Sequence, residues 1–213
     1  LSRVPAPISD HIHIAHSTDE TARRAYTRQG ALDWHDFVAF RGRELAPGGK
    51  LVVLTLGLDD AGLPGFAGVM QAILAALHSL VDDGTLHPDE LDRMAIPTVG
   101  RTEKEFRAPF APSGRFEGLS VEHLELFNAE DRFWARYRAD GNAVALGAAW
   151  AGFARAAIFP TLTTALDGGP GGPRTGVFVD ALESAVAAYL SGAPQQMTIP
   201  LATVVLVKRS GAA

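Results

Sequence analysis

Three histidines in six residues, in the run Asp10-His-Ile-His-Ile-Ala-His16, are the first place in this chain where chemistry could gather. Imidazoles close in sequence are candidate metal ligands. In an extended HIHIA segment, His11 and His13 would share a face and His16 would not. Asp10 is the nearest carboxylate, so the run reads better as a solvated edge segment than as a metal site. Glu122, His123 and Glu125 form a second polar cluster. On a strand they read as a charged, solvated sheet face. His78, between Leu77 and Ser79 on a helical pattern, either faces a pocket or is a partly buried structural histidine. Asp167 to Pro173 (DGGPGGP) is Gly-rich, but it follows no strand and carries two prolines. It reads as a surface loop rather than a phosphate cradle.

Several chemistries are excluded by type. The chain has no cysteine, so disulfides, thiolate nucleophiles and Cys-ligated metals are ruled out. No G-x-S-x-G elbow, H-E-x-x-H, P-loop or G-x-G-x-x-G after a strand is present. The net charge of −5, with no cluster of Lys and Arg, argues against nucleic-acid binding. No apolar run reaches the roughly 18 residues of a membrane span, and no signal peptide is visible. A cytoplasmic location is the expectation. The Ala, Gly, Arg and Asp bias suggests a GC-rich bacterial source.

The elements that must position any site come from the hydrophobic pattern. With 47% hydrophobic residues, the 213-residue chain can bury a sizeable core. Ser17 to Glu20 matches a capping box, so a helix should run from about Asp19 to Ala46, with Gly30 marking a bend. Trp34, Phe37, Val38, Arg41 and Leu45 share one face of it. Pro47, Gly48 and Gly49 stop that helix, and Lys50–Leu56 follows as a nearly continuous apolar strand. Such a strand usually has both faces covered, as in a parallel sheet. A helix is expected from Phe66 to near Gly84, then short helices at Pro88 and after the Thr102 capping box. An extended segment lies within 116–130, an Ala-rich helix within 141–159, and an amphipathic helix over Val179 to Leu190. Residues 197–208 form a final strand. The order is that of an α/β domain with helices inserted after a core strand, which reads as a cap over a site.

Taken in order, several segments resemble one family. Leu1-Ser-Arg-Val-Pro5, the run ending RELAPGGKLVVLTLG, ILAALHSLVDDG (73–84) and LDRMAIPTVGRTEKEF (91–106) are similar to the SABATH methyltransferases. These include the salicylate and jasmonate carboxyl methyltransferases and the N-methyltransferases of caffeine biosynthesis. Gly84-Thr-Leu86 with Leu91-Asp92, and Ile96-Pro97 with Thr102 to Glu105, carry the family's later motifs. The resemblance implies the C-terminal half of a class I, Rossmann-like methyltransferase sheet with an α-helical cap. Residues 1–57, 113–130 and 195–213 would be partial core, and 58–112 and 131–194 the cap. The strands at 50–56, near 116–127 and at 198–207 would be the last three of the sheet.

The resemblance also implies S-adenosylmethionine as methyl donor. The Gly-rich donor loop, the acidic residue after the second strand, and the Gln, His and Trp that orient the carboxylate would lie before Leu1. The chain is therefore expected to be a C-terminal part with its start missing. Methyl transfer to a carboxylate suits the lack of a catalytic triad. A carboxylate is ionised at neutral pH and needs no general base. Alignment and removal of water can supply the rate.

Family substrate contacts fall on Val69, Met70, Ala148 and Ile199, with Ile73, Trp150 and Phe153 nearby. The flexible Met70 and the small Ala148 imply a pocket shaped differently from one for salicylate. The metal segment of some members corresponds to Met94-Ala-Ile-Pro97. Ala95 replaces its Asn, so no metal is expected although Asp92 remains. The expected partner is a small, apolar or aromatic carboxylic acid, and family habit suggests a homodimer. The other readings are a non-catalytic small-molecule-binding or regulatory domain derived from such an enzyme, and a hydrolase with a helical lid.

Overall fold

The computed structural model describes residues 1–59 and 62–209; the outer end of the expected final core segment, 210–213, lies outside the described residues. The first helix, α1 (Glu20–Glu44), starts one position differently from the sequence expectation. Its N-cap is Asp19, whose side chain accepts from the Thr21 and Ala22 amides. Ser17 instead donates to Asp10 and accepts from the Asp19 amide. Gly30 does not break the helix. A Cβ there would sit 2.8 Å from Val99 Cγ2, so this glycine is a packing site. The HIHIA segment is not a strand. It folds as a 3₁₀ turn, Ile14–His16, because the rings of His11 and His13 turn back to accept nearby backbone amides.

Strand β1 (Lys50–Leu56) follows Gly48, which takes the positive φ of 78° that the tight turn needs. Helices α2 (Ala67–Asp82), α3 (Pro88–Asp92) and α4 (Glu103–Arg107) come next. The Thr102 capping box is present in full: the hydroxyl accepts from the Glu105 amide and the Glu105 carboxylate accepts from the Thr102 amide. Strand β2 (Leu119–Asn128) leads into α5 (Arg132–Asp140), α6 (Ala143–Ala157), the short α7 (Phe159–Leu162) and α8 (Thr175–Gly192). Strand β3 (Pro200–Lys208) closes the chain. No single described helix is long and apolar enough to cross a membrane.

The sheet order is β1-β3-β2, with β3 antiparallel to both neighbours. That corrects the expectation for β1. Its described neighbour is antiparallel, and its side chains alternate instead of being covered on both faces. Leu51 and Val53 pack under α1 and α4 with Trp34, Val38 and Phe106. Val52 and Leu54, on the other face, are 66% and 64% exposed. Nothing among the described residues covers them. On that same open face, Lys50 pairs with Glu122 at 2.6 Å, and His123 lies near Glu125 in solvent, as the polar pattern of β2 anticipated.

A larger apolar cluster gathers the inner faces of α2, α6 and α8. Helix α8 turns Phe178, Leu182, Val186 and Leu190 inward, one step round from the expected face, and leaves Tyr189 partly exposed. Gly147 sets how closely α6 approaches α8: a Cβ would meet Ala187 O at 2.3 Å. The Gly-rich run 167–173 is a surface turn, as expected. It is held by Glu90, a fully buried carboxylate that accepts from the Asp167 amide, the His87 amide and Arg174.

The two faces of the sheet should respond differently to truncation. Leu206→Ala, under α1, is expected to cost about 2–5 kcal/mol. Val52→Ala should stay within about 0.5 kcal/mol. Urea denaturation of this 213-residue chain measures both. Equal losses would mean that the Val52 face is covered.

Candidate functional site

Of the seven residues expected as contacts or near them, all but Ala148 come together, with Phe153 stacked on Phe66 at the edge of the group. Val69, Met70 and Ile73 lie on the inner face of α2, Trp150 on α6, and Ile199 packs beside them just before β3. Helical spacing brings the first three to one face. The positive φ of Phe66 (57°) starts α2 at the angle that sets its ring against Trp150 and Phe153. Phe133 meets Trp150 edge-on at 5.0 Å. Val69, Met70, Ile73, Trp150 and Ile199 are part of the packed core and line none of the pockets among the described residues; within that core the Trp150 Nε1–H is buried without a partner. Ala148 does not join the group: it lies on the exposed side of α6.

The histidine run is brought together more tightly than its spacing suggested. His16 stacks at 4.9 Å from His11 and 5.8 Å from His13. Three of their ring nitrogens are committed locally, while His16 Nε2 is buried without a partner. His11 Nδ1 accepts from the His13 amide, His13 Nδ1 from the Ala15 amide, and His13 Nε2 pairs with Thr98 Oγ1 at 3.0 Å. No group of three or more His, Asp or Glu among the described residues is arranged to hold a metal. Burial, then the neighbouring His16 and His11, push His13 down to about 4. It is neutral at pH 7. Asp10 is lowered to about 2 by hydrogen bonds from Ser17 and Thr18. His78 is exposed and lines an open hollow with Ile8, His11 and Leu91.

The glycines after β1 are engaged in packing: a Cβ at Gly57 would press on the Leu201 backbone, and one at Gly65 on Pro200 and Thr198 O. Asp131, the buried acid after β2, is used twice. It caps α5 through the Trp134 amide and accepts from the Met197 amide, both at 2.9 Å.

One partly open pocket escaped the sequence reading. A cavity of about 180 Å³ lies between α1 and residues 99–101, lined in part by Tyr26, Gly30, Val99 and Arg101. Its walls are about 70 residues apart, so no local spacing reveals it. The only sequence signal is Arg23, Tyr26, Thr27 and Gly30 sharing one helical face.

The architecture defines the class. The chain superposes with a TM-score of 0.72 on a solved loganic acid methyltransferase with SAH, over 99% of this chain and 59% of that one, at 18% identity. Its three strands and helices match part of a class I methyltransferase fold. A family model for SAM-dependent carboxyl methyltransferases matches residues 1–195, and the chain belongs to that family. By its description that family is SAM-dependent. Among curated relatives, salicylate carboxymethyltransferase of Clarkia breweri is 26% identical over 67% of this chain and 39% of its own length. Methyltransferase LUC1 of a Fusarium species is 33% identical over 42% of this chain and 25% of its own. Benzoate O-methyltransferase of Zea mays is 28% identical over 53% and 30%. The chain thus spans less than two fifths of each of these relatives.

The histidine cluster predicts an acid limb. His13 has a folded value below its unfolded one of about 6.5, so the folded state binds fewer protons there. Its stabilisation is complete above pH 6.5 and falls as pH drops towards 4, by at most about 1.4 kcal/mol per pH unit. His13→Asn, which keeps an acceptor for Ala15, should flatten thermal stability against pH over that window. An unchanged slope would contradict it.

Proposed function

We propose that this chain is the C-terminal part of a carboxyl O-methyltransferase acting on a small apolar or aromatic acid. It supplies three strands of the sheet and a helical cap formed by 58–112 and 131–194. The observation that carries this reading is β1. Among the described residues it is an edge strand that bears an exposed apolar pair, Val52 and Leu54, next to a free backbone edge. Exposed edges of this kind are normally paired or covered. A neighbouring strand from a donor-binding half would pair with that edge, and helices of that half would cover Val52 and Leu54.

The substrate would lie against Val69, Met70, Ile73, Trp150 and Ile199. An apolar wall strips water from the acid. The unpaired Trp150 N–H supports this placement, since a buried donor without a partner suits an oxygen on the ligand. Ala148, exposed on α6, would line the site only if it faced the other half. The relatives' names point to salicylate- and benzoate-like acids as the substrate class. No residue in this reading needs to act as a base. The cytoplasm is the proposed location, and a homodimer remains part of the proposal through the family alone.

Titrating S-adenosylhomocysteine calorimetrically into the 213-residue chain tests the division of labour. A folded chain that shows no binding is the expected result. Clear one-to-one binding would place a donor site within these residues and overturn the proposal.

A further inference from the structure

The cavity between α1 and residues 99–101 has a chemistry of its own. Helix α1 lends one face of it, through Arg23, Tyr26, Thr27 and Gly30. The opposite wall is Val99, Gly100 and Arg101, and it is held in place at the end of β1 by the bridge between Gly57 and Arg101. A Cβ at Gly100 would lie 2.4 Å from Gly57 O, so only glycine lets this wall close against the sheet. In open α/β sheets the crevice outside the carboxyl ends of strands is where ligands bind. A volume of about 180 Å³ is enough for one ring, given that a cavity of about 150 Å³ takes benzene.

The polar groups in its walls are under-used. Arg101 is half-buried, with its guanidinium 5.7 Å from the Trp34 ring centroid. One of its five N–H donors goes to Gly30 O at 2.9 Å, and no carboxylate lies within salt-bridge range among the described residues. Burial lowers its pKa more than Glu105 and Asp33 raise it, yet a guanidinium stays charged. Tyr26 lines the cavity and is 1% exposed; its hydroxyl is sealed from solvent without a partner, so it meets a ligand on a small shift of the ring. Burial raises its pKa, so it is a phenol with a proton to donate.

The remaining charges leave the balance positive. Arg23 also lines the cavity. Glu105 opposes it, but its carboxylate already accepts from the Thr102 amide and hydroxyl. His13 is neutral. The rest of the lining is apolar: Ile14, Ala15, Ala31, Leu58, Pro64 and Val99. An apolar chamber with a cation and a phenol in its wall suits an organic acid. The lining meets only the starts of the 3₁₀ turn and of the five-residue α4, where the Ala15 and Glu105 amides are already capped by His13 and Thr102, so inorganic phosphate lacks the amide cradle it favours.

We propose that this cavity is a binding site for a small organic acid with a ring-sized body, its carboxylate received by the Arg101 guanidinium and the Tyr26 hydroxyl. The site is separate from the wall of Val69, Met70, Ile73 and Trp150. A carboxylate held by a guanidinium has its lone pairs engaged in charge-assisted hydrogen bonds. An acid docked here is therefore bound without being methylated at that carboxylate. The inference stands whether or not the methyl-transfer reading does, since no donor is needed for it.

Calorimetry with benzoate, benzamide and inorganic phosphate, each titrated into the 213-residue chain without donor, tests it. Benzoate should bind once per chain, with benzamide and phosphate at least tenfold weaker. Arg101→Met should weaken benzoate at least tenfold, and Tyr26→Phe at least threefold. Tyr26→Phe removes only the unpartnered hydroxyl, so it decides the matter if Arg101→Met fails to fold. Absence of benzoate binding, equal affinity for benzamide, or wild-type affinity in Tyr26→Phe would each overturn the site.

Discussion

The antiparallel insertion of β3 between β1 and β2 is the constraint on which the rest depends. Its residues pair over the whole of both neighbours, from Lys50 with Val207 to Asn128 with Pro200, across a slip at Val121 and His123. Ala202, Val204 and Leu206 are fully buried beneath α1 and α4. Strands β1 and β2 run parallel to each other and share no ladder, so only β3 joins them. The pairing closes loops of about 75 and 150 residues, a large entropic cost that local structure cannot offset. The helices between the strands fold into a second core, and the ends of β3 pin that core to the sheet. Met197 is tied to Asp131 beside β2, and Gly57 is tied to Pro200 beside β1.

That topology explains why the chain has two apolar surfaces of opposite fate. Where α1 and α4 lie over the sheet, alternate residues of β3 are sealed. On the other side Val52, Leu54 and Phe127 meet solvent. The polar groups of that face, Lys50, Glu122, His123 and Glu125, sit largely towards β2. Charge therefore guards one side of the open face while the β1 side stays apolar, as an interface core flanked by a polar rim would be.

Much of this was legible from sequence, for a physical reason. Features set by contacts within a few residues came through: the Thr102 box, the Gly48 turn and the strand Lys50–Leu56. Features decided by distant partners did not. β-branched density suggested that β1 is covered on both faces, but density cannot tell which neighbours are present. Gly30 carried a breaker's signal, yet its role is to receive Val99 from 69 residues away. The HIHIA alternation mimicked a strand because imidazoles that accept backbone amides have no periodic signature. Of the candidate contacts, helical spacing gathered Val69, Met70 and Ile73. The placement of Ala148 depended on which way α6 rolls against α8, and spacing alone leaves that roll open.

The arrangement of polar groups separates two ways of handling an acid. Around Trp150 the wall is apolar, with a single unpaired N–H. A carboxylate brought there loses water and gains little in return, so its oxygen stays a nucleophile. Around Arg101 the opposite holds: a charged donor and a buried phenol offer hydrogen bonds that quench the same oxygen. On the two proposals, one setting would activate a carboxylate by leaving it under-solvated and the other would bind one by satisfying it. Because Arg101 is fixed to Gly30 on α1 and to Gly57 at the end of β1, occupation of the second setting bears directly on the edge strand. The contacts that fix Arg101, to Gly30 on α1 and Gly57 after β1, are thus shared by the proposed acid site and by the edge strand.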